Sequence, residues 1–151
     1  SGDVHRRQGL LYALCSTPYA LLMPLLPPSE TPAIRVVMMP RDVNPQGSIF
    51  GGVILSLIDQ AAFVEAMRQA SIHRWVTVSF NAVEFHKPVL VGDILSLWAH
   101  ASRVGRTSLT VRVEVRARRE REHEEIAVTN ADVTFVAVDP DGRPTAVFPE
   151  D

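Results

Sequence analysis

Cysteine is almost absent from this chain. Cys15 is the single one in 151 residues, so no disulfide can close within the chain, and a reducing compartment such as the cytoplasm is the default setting. Lysine is equally scarce: Lys87 stands alone beside fourteen arginines, a skew that reads as coding bias first and anion recognition second. No excess of positive charge exists, since 15 basic and 17 acidic residues leave a net charge of -2, which argues against a general nucleic-acid binder. Three common catalytic devices are missing. There is no G-x-S-x-G elbow for a serine hydrolase. The five histidines are scattered without metal-ligand spacing. Gly47 and Gly52 have the spacing of a phosphate-binding loop, but Val53 and Ile54 stand where its Lys and Ser/Thr belong. Long apolar runs are lacking too. Leu10 to Leu26 follows Arg6 and Arg7 in the manner of a signal peptide, but Pro18 and Pro24 interrupt it, and it is short for a membrane span of about 20 residues.

What is present suffices for one domain, with 46% apolar and 21% charged residues. Pro27-Pro28-Ser29 reads as a linker, so residues 1–32 are expected to form an extension or linker and residues 33–148 the folded domain. Ile34 to Met39 is a short apolar run with β-branched residues, a first strand ended by Pro40. Ile54, Leu57, Ile58, Ala61, Ala62 and Glu65 then recur at three- and four-residue steps, predicting a helix of about five turns over Val53 to Ala70, apolar round much of its circumference and hence buried.

Four strand-like segments follow. Trp75 to Phe85 alternates, but its apolar parity flips from Val76, Val78 and Phe80 to Val83 and Phe85, which predicts a bulge or bend near Ala82. Ile94 to Val104, Thr107 to Arg118 and Ile126 to Val138 alternate over longer stretches, the last with Ala127, Ala131, Val133, Phe135 and Ala137 as its expected inner set. Consecutive strands joined by turns imply an antiparallel sheet, and one helix against it gives an α+β domain. Such a sheet leaves an outer face and edges that a second copy would cover.

The segment Asn44 to Gly52 and the helix behind it carry the candidate chemistry. Gly51-Gly52 at a helix start lets a ligand approach free backbone N–H groups, which favour negative charge, including a developing oxyanion. Asp59 follows two turns later. A carboxylate in an apolar helix is either paired or kept for acid-base work, and these features alone leave both readings open.

The order Asn44-x-x-Gly47-x-x-Phe50-Gly51-Gly52, Asp59, Thr77-Val78 and Pro88-x-x-x-Gly92-Asp93 resembles the hotdog-fold acyl-CoA thioesterases, in particular the YciA-like bacterial branch. The likeness extends through Gly105-x-Thr107-Ser108, Glu114-Val115 and Val138-Asp139-Pro140-x-Gly142-x-Pro144, so it covers roughly residues 34–146. It implies a long central helix wrapped by a curved antiparallel sheet of about five strands. It also implies a homodimer as the catalytic unit, often assembled into a homohexamer, and hydrolysis of acyl-CoA without metal or other cofactor. By the resemblance Asp59 is general base or nucleophile, Asn44 places water or substrate from the partner subunit, and Gly51 and Gly52 polarise the thioester carbonyl. Phe50, Gly105, Arg106, Thr107, Ser108, Arg116 and Arg118 are the expected substrate or coenzyme contacts; for each arginine a solvated face competes, and for Thr107 and Ser108 a turn role. Ser48, His86 and Lys87 depart from the family pattern. Other readings are hydrolysis of carrier-protein thioesters, a non-catalytic acyl-CoA sensor, and a dehydratase, for which Phe50 stands where a histidine would be sought.

Overall fold

The computed structural model describes residues 25–149. Residues 1–24, with Cys15, the paired arginines and most of the apolar stretch, lie outside the described residues. The elements are β1 (Ile34–Val37), a 3₁₀ turn (Pro40–Asp42), α1 (Gly51–Gln69), β2 (Arg74–Asn81), β3 (Ile94–Val104), β4 (Ser108–Arg118) and β5 (Ile126–Val138). The five strands form one antiparallel sheet in the order β1-β3-β4-β5-β2. The sheet curls around α1, the hotdog arrangement, and β1 and β2 are its free edges.

Alternation drives the packing. Leu109, Val111, Val113, Val115 and Ala117 of β4 all turn inward and are buried. Ile54, Ile58, Ala61, Ala62 and Ala66 face them from α1. The three alanines keep that face of the helix thin, which lets the sheet approach closely. Only this side of α1 is covered. Phe63 and Val64 remain 44% and 45% exposed, so the expected burial of the whole helix does not occur within one protomer.

Two register shifts correct the expected strand faces. β5 carries an extra residue opposite Val115 and Arg116 of β4. That bulge turns Val128 inward and Ala127 outward, so Ala127 does not belong to the inner set. In β2 the shift falls between Thr77 and Ser79. The bend expected near Ala82 is also present: β2 ends at Asn81, and Ala82 has a φ of 42°. Trp75 is buried and Val76 faces away from the core; beyond the bulge Phe80 pairs with inward-facing Val133 yet stays 41% exposed at the open edge.

Residues 25–31 have neither helix nor strand, but they are tied to the end of α1. Leu26 N–H donates to Gln69 Oε1 at 2.8 Å, and Arg68 donates to the Pro27 carbonyl at 2.6 Å. Glu65, which is buried, accepts from both Arg68 and Gln69 and orients the pair.

The start of α1 is braced by a second buried carboxylate. Asp93 accepts from Leu90 N–H and from Nε and a terminal nitrogen of Arg119, the latter two at 3.0 Å. These hydrogen bonds raise the Arg119 guanidinium above its ordinary value. The loop they hold reaches the helix through Ile49 N–H, which donates to the Val89 carbonyl at 2.8 Å. Removing the guanidinium strands a carboxylate that is only 1% exposed. Arg119→Met is therefore expected to destabilise the fold by about 2–3 kcal/mol in urea denaturation, below the range for fully buried pairs because water reaches Arg119. The further change Asp93→Asn should recover part of that loss, and a loss below about 0.5 kcal/mol would show that the pair braces nothing.

Candidate active site

α1 positions the site by its two ends and one carboxylate. The chain enters through a tight loop: Asn44 N–H donates to the Ser48 carbonyl at 2.7 Å, and Val43 bridges Ile49. Gly47, at φ 89°, supplies the left-handed residue that this turn requires. Asn44 closes the loop with its side chain. Its Oδ1 accepts from Gln46 and Ser48 N–H, and its Nδ2 donates to Ser48 Oγ at 2.9 Å. One amide N–H of Asn44 is left without a partner among the described residues.

Phe50 is the N-cap and makes no side-chain cap. The Gly51 and Gly52 N–H groups consequently lack partners among the described residues and point outward along the helix axis. The two glycines differ. A Cβ on Gly51 would lie 3.2 Å from the Phe85 ring, so Gly51 admits that ring against the helix start. A Cβ on Gly52 would meet nothing within 4 Å, so Gly52 opens onto free surface.

Asp59 lies seven residues beyond Gly52 on the same helix face, about 10 Å along the axis. It is half-buried, and Thr77 Oγ1 donates to its Oδ1 at 2.7 Å. Oδ2 has no partner among the described residues. Asp59 and Thr77 border an open cavity of about 440 Å³ whose other walls include Phe63, Val64, Trp75 and Phe135. The arrangement suits a carboxylate held by one oxygen and free to take a proton, or attack, with the other. Thr77 was not singled out as a site residue from the sequence. Its 18-residue separation from Asp59 leaves no local signal; only the inward position beside Trp75 marks it.

The other candidates fall into two groups. Gly105, Arg106, Thr107 and Ser108 form the β3–β4 turn, where the Ser108 side chain lies so close that a Cβ on Gly105 would be 2.6 Å from its Oγ. The Arg106 and Thr107 carbonyls accept from Val147 and Ala137 N–H, so their backbones fasten the C-terminal segment. Arg116 and Arg118 lie at the far end of β4, eight and ten residues, or about 26 and 33 Å, from Ser108. One coenzyme phosphate group cannot touch both ends of one protomer, so the expected contacts do not form a single cluster within the chain. Arg116 is half-exposed and pairs with Glu114 at 3.1 Å and Glu125 at 4.0 Å, a solvated network of little energetic weight. Arg106 and Arg118 are exposed with no side-chain partner among the described residues. Phe50 is 48% exposed beside Gly51.

Among the described residues no three His, Cys, Asp or Glu side chains come together as a metal site. No helix among them is long and apolar enough to cross a membrane.

The chain belongs to the thioesterase superfamily, whose family model matches residues 46–123. It is 47% identical over 126 residues to a Zymomonas mobilis protein named as an uncharacterized acyl-CoA thioester hydrolase, covering 83% of each chain. It is 35% identical over 114 residues to the acyl-CoA thioester hydrolase YciA of Salmonella typhimurium, covering 74% of this chain and 85% of that one. A hexameric hotdog-fold thioesterase of Campylobacter jejuni superposes with a TM-score of 0.73 at 42% identity, over 78% of this chain and 90% of its own.

The Thr77–Asp59 contact carries a direct test. Thr77→Val removes the hydroxyl that holds Oδ1, so the carboxylate loses its fixed orientation beside the cavity. The expected fall in kcat is about tenfold or more at neutral pH, with Thr77→Ser restoring most of it. An unchanged kcat in Thr77→Val would show that the hydroxyl does not act on the carboxylate.

Proposed function

We propose that this chain is an acyl-CoA thioesterase whose active sites form between two copies, with Asp59 as the working carboxylate. The carrying observation is the separation of Asp59 from the free Gly51 and Gly52 N–H groups. A base or nucleophile and an oxyanion donor must converge on one carbonyl group, each from about 3 Å. On a single helix the two stand about 10 Å apart. The N–H groups also point away from Asp59, out of the helix end. A second helix running in the opposite sense brings its Gly52 to the first helix's Asp59, and the reverse, so one twofold contact makes two sites.

The surface supports that contact. β2 is a free sheet edge bearing exposed Val76, Val78 and Phe80, and it continues into exposed Phe63 and Val64 on α1. An apolar edge of this kind pairs with a copy of itself rather than with water. Assembly of such dimers into a hexamer, as in the Campylobacter jejuni relative, fits the same reading.

In the reaction, Asp59 takes a proton from water, whose oxygen bonds to the thioester carbonyl carbon. The Gly52 N–H of the second copy, with that of Gly51, stabilises the oxyanion. The C–S bond then breaks, the coenzyme thiolate leaves, and it recovers the proton that Asp59 holds. A thiolate leaves readily because its conjugate acid is far stronger than an alcohol. In the nucleophilic alternative Asp59 attacks directly and water opens the resulting anhydride. The remaining N–H of Asn44 helps place water or carbonyl. Arg106, with Thr107 and Ser108, contacts coenzyme at one end of β4, and Arg116 or Arg118 at the other. No step calls for a metal or redox cofactor, and a cytoplasmic setting suits a chain with one cysteine.

Steady-state hydrolysis of an acyl-CoA panel from acetyl to palmitoyl tests the reading. Asp59→Asn should lower kcat by about 10²-fold or more while leaving thermal unfolding nearly unchanged, since Asp59 is half-buried and accepts a single hydrogen bond. Retained turnover would remove Asp59 from the chemistry. Val78→Lys on the free edge is expected to give monomers by sedimentation, with kcat/KM at least tenfold lower; fully active monomers would refute a site built by two copies.

A further inference from the structure

We infer that Trp75 is the end wall of the acyl pocket and sets the acyl chain length that the enzyme accepts. The inference rests on the thioesterase reading, which places the scissile carbonyl beside Asp59. From there an acyl chain must enter apolar space, and the cavity that Asp59 borders provides it. Asp59 and Thr77 stand at the start of this cavity. Phe63, one helical turn beyond Asp59, and Val64 form the helix wall. Trp75, two residues before Thr77 on the same face of β2, stands across the far end with Phe135.

Trp75 is fixed more firmly than its neighbours in that cavity. Its indole N–H donates to the Ala70 carbonyl at 3.1 Å, at the residue that ends α1. Its ring meets Phe135 edge to face at 6.4 Å and His73 at 5.6 Å. It is 8% exposed, whereas Phe63 and Val64 are nearly half-exposed within one protomer. An end wall of this rigidity cannot yield to additional methylenes as a flexible side chain would. Trp75 stands two residues from Thr77 along β2, about 7 Å, so the space between the Asp59–Thr77 pair and that wall holds a chain of a few carbons. Longer chains must leave through the open mouth of the cavity and forgo burial of their tails.

The test compares wild type, Trp75→Phe and Val64→Phe on butyryl-, hexanoyl-, decanoyl- and palmitoyl-CoA, with kcat and KM resolved for each. Trp75→Phe removes part of the end wall without emptying the core, so the ratio of kcat/KM for decanoyl to that for butyryl should rise at least tenfold. Val64→Phe fills the side wall and should shift the same ratio down, by at least threefold. Opposite shifts, carried by KM for the longer chains, support the inference. Uniform losses at every chain length would mean that Trp75 only packs the core, and would overturn it. If wild type hydrolyses the panel but neither variant alters the ratio, the inference fails while the thioesterase reading stands. If wild type hydrolyses none of the panel, both fail together.

Discussion

In the proposed reading, α1 carries both halves of a catalytic machine that it cannot bring together by itself. The free amide groups of Gly51 and Gly52 point out of one end, and Asp59 stands about 10 Å away on the same face. Most other features of the molecule follow from this constraint. The helix must be held firmly enough to present two fixed points, yet one side of it must stay uncovered for a second copy. Alanines at 61, 62 and 66 meet the first demand by letting the sheet close around the inner face. Phe63 and Val64, left exposed beside the uncovered edge of β2, meet the second. The bracing groups sit at the helix ends: the Asp93–Arg119 pair holds the loop beside the start, and Glu65 orients Arg68 and Gln69 to tie residues 26 and 27 to the end.

Thr77 links this frame to chemistry. It lies on β2, the edge strand, immediately before a bulge. The strand that borders the free edge therefore also fixes the carboxylate, so site geometry and association depend on one element. Trp75, two residues earlier, connects the same strand to the end of α1 through Ala70. In the proposed reading, reaction, assembly and acyl selection thus draw on neighbouring positions of a single eight-residue strand.

Much of this was legible in the sequence, and the failures have physical causes. The helix and the four later strands follow from period, because one face of each is buried and the pattern records it; the first strand follows from its β-branched apolar run and Pro40. Asp59 was visible as a carboxylate in an apolar helix. Alternation in β2 marks the faces only as far as the bulge after Thr77: Val76 points outward, whereas Phe80 pairs with inward-facing Val133. Ala127 was misplaced because one extra residue in β5 reverses the faces without any change in composition. Thr77 is part of the family resemblance but gains no site role from the sequence, because its bond to Asp59 is made by tertiary folding across 18 residues. Along β4 the arginines look like one basic stripe, but a strand of that length separates its ends by about 33 Å.

The central claim is that each site takes Asp59 from one copy and the helix start from the other, and complementation tests it most directly. Gly52→Asp fits sterically, since a Cβ there meets nothing, but it sets a negative charge where the oxyanion forms. Coexpressed with Asp59→Asn, each variant alone being inactive, random pairing gives half mixed dimers, and each mixed dimer holds one intact site. The account predicts recovery of about a quarter of wild-type kcat per chain. A mixture no more active than either variant alone would mean that Asp59 and Gly52 serve the same site from the same chain, and would contradict it.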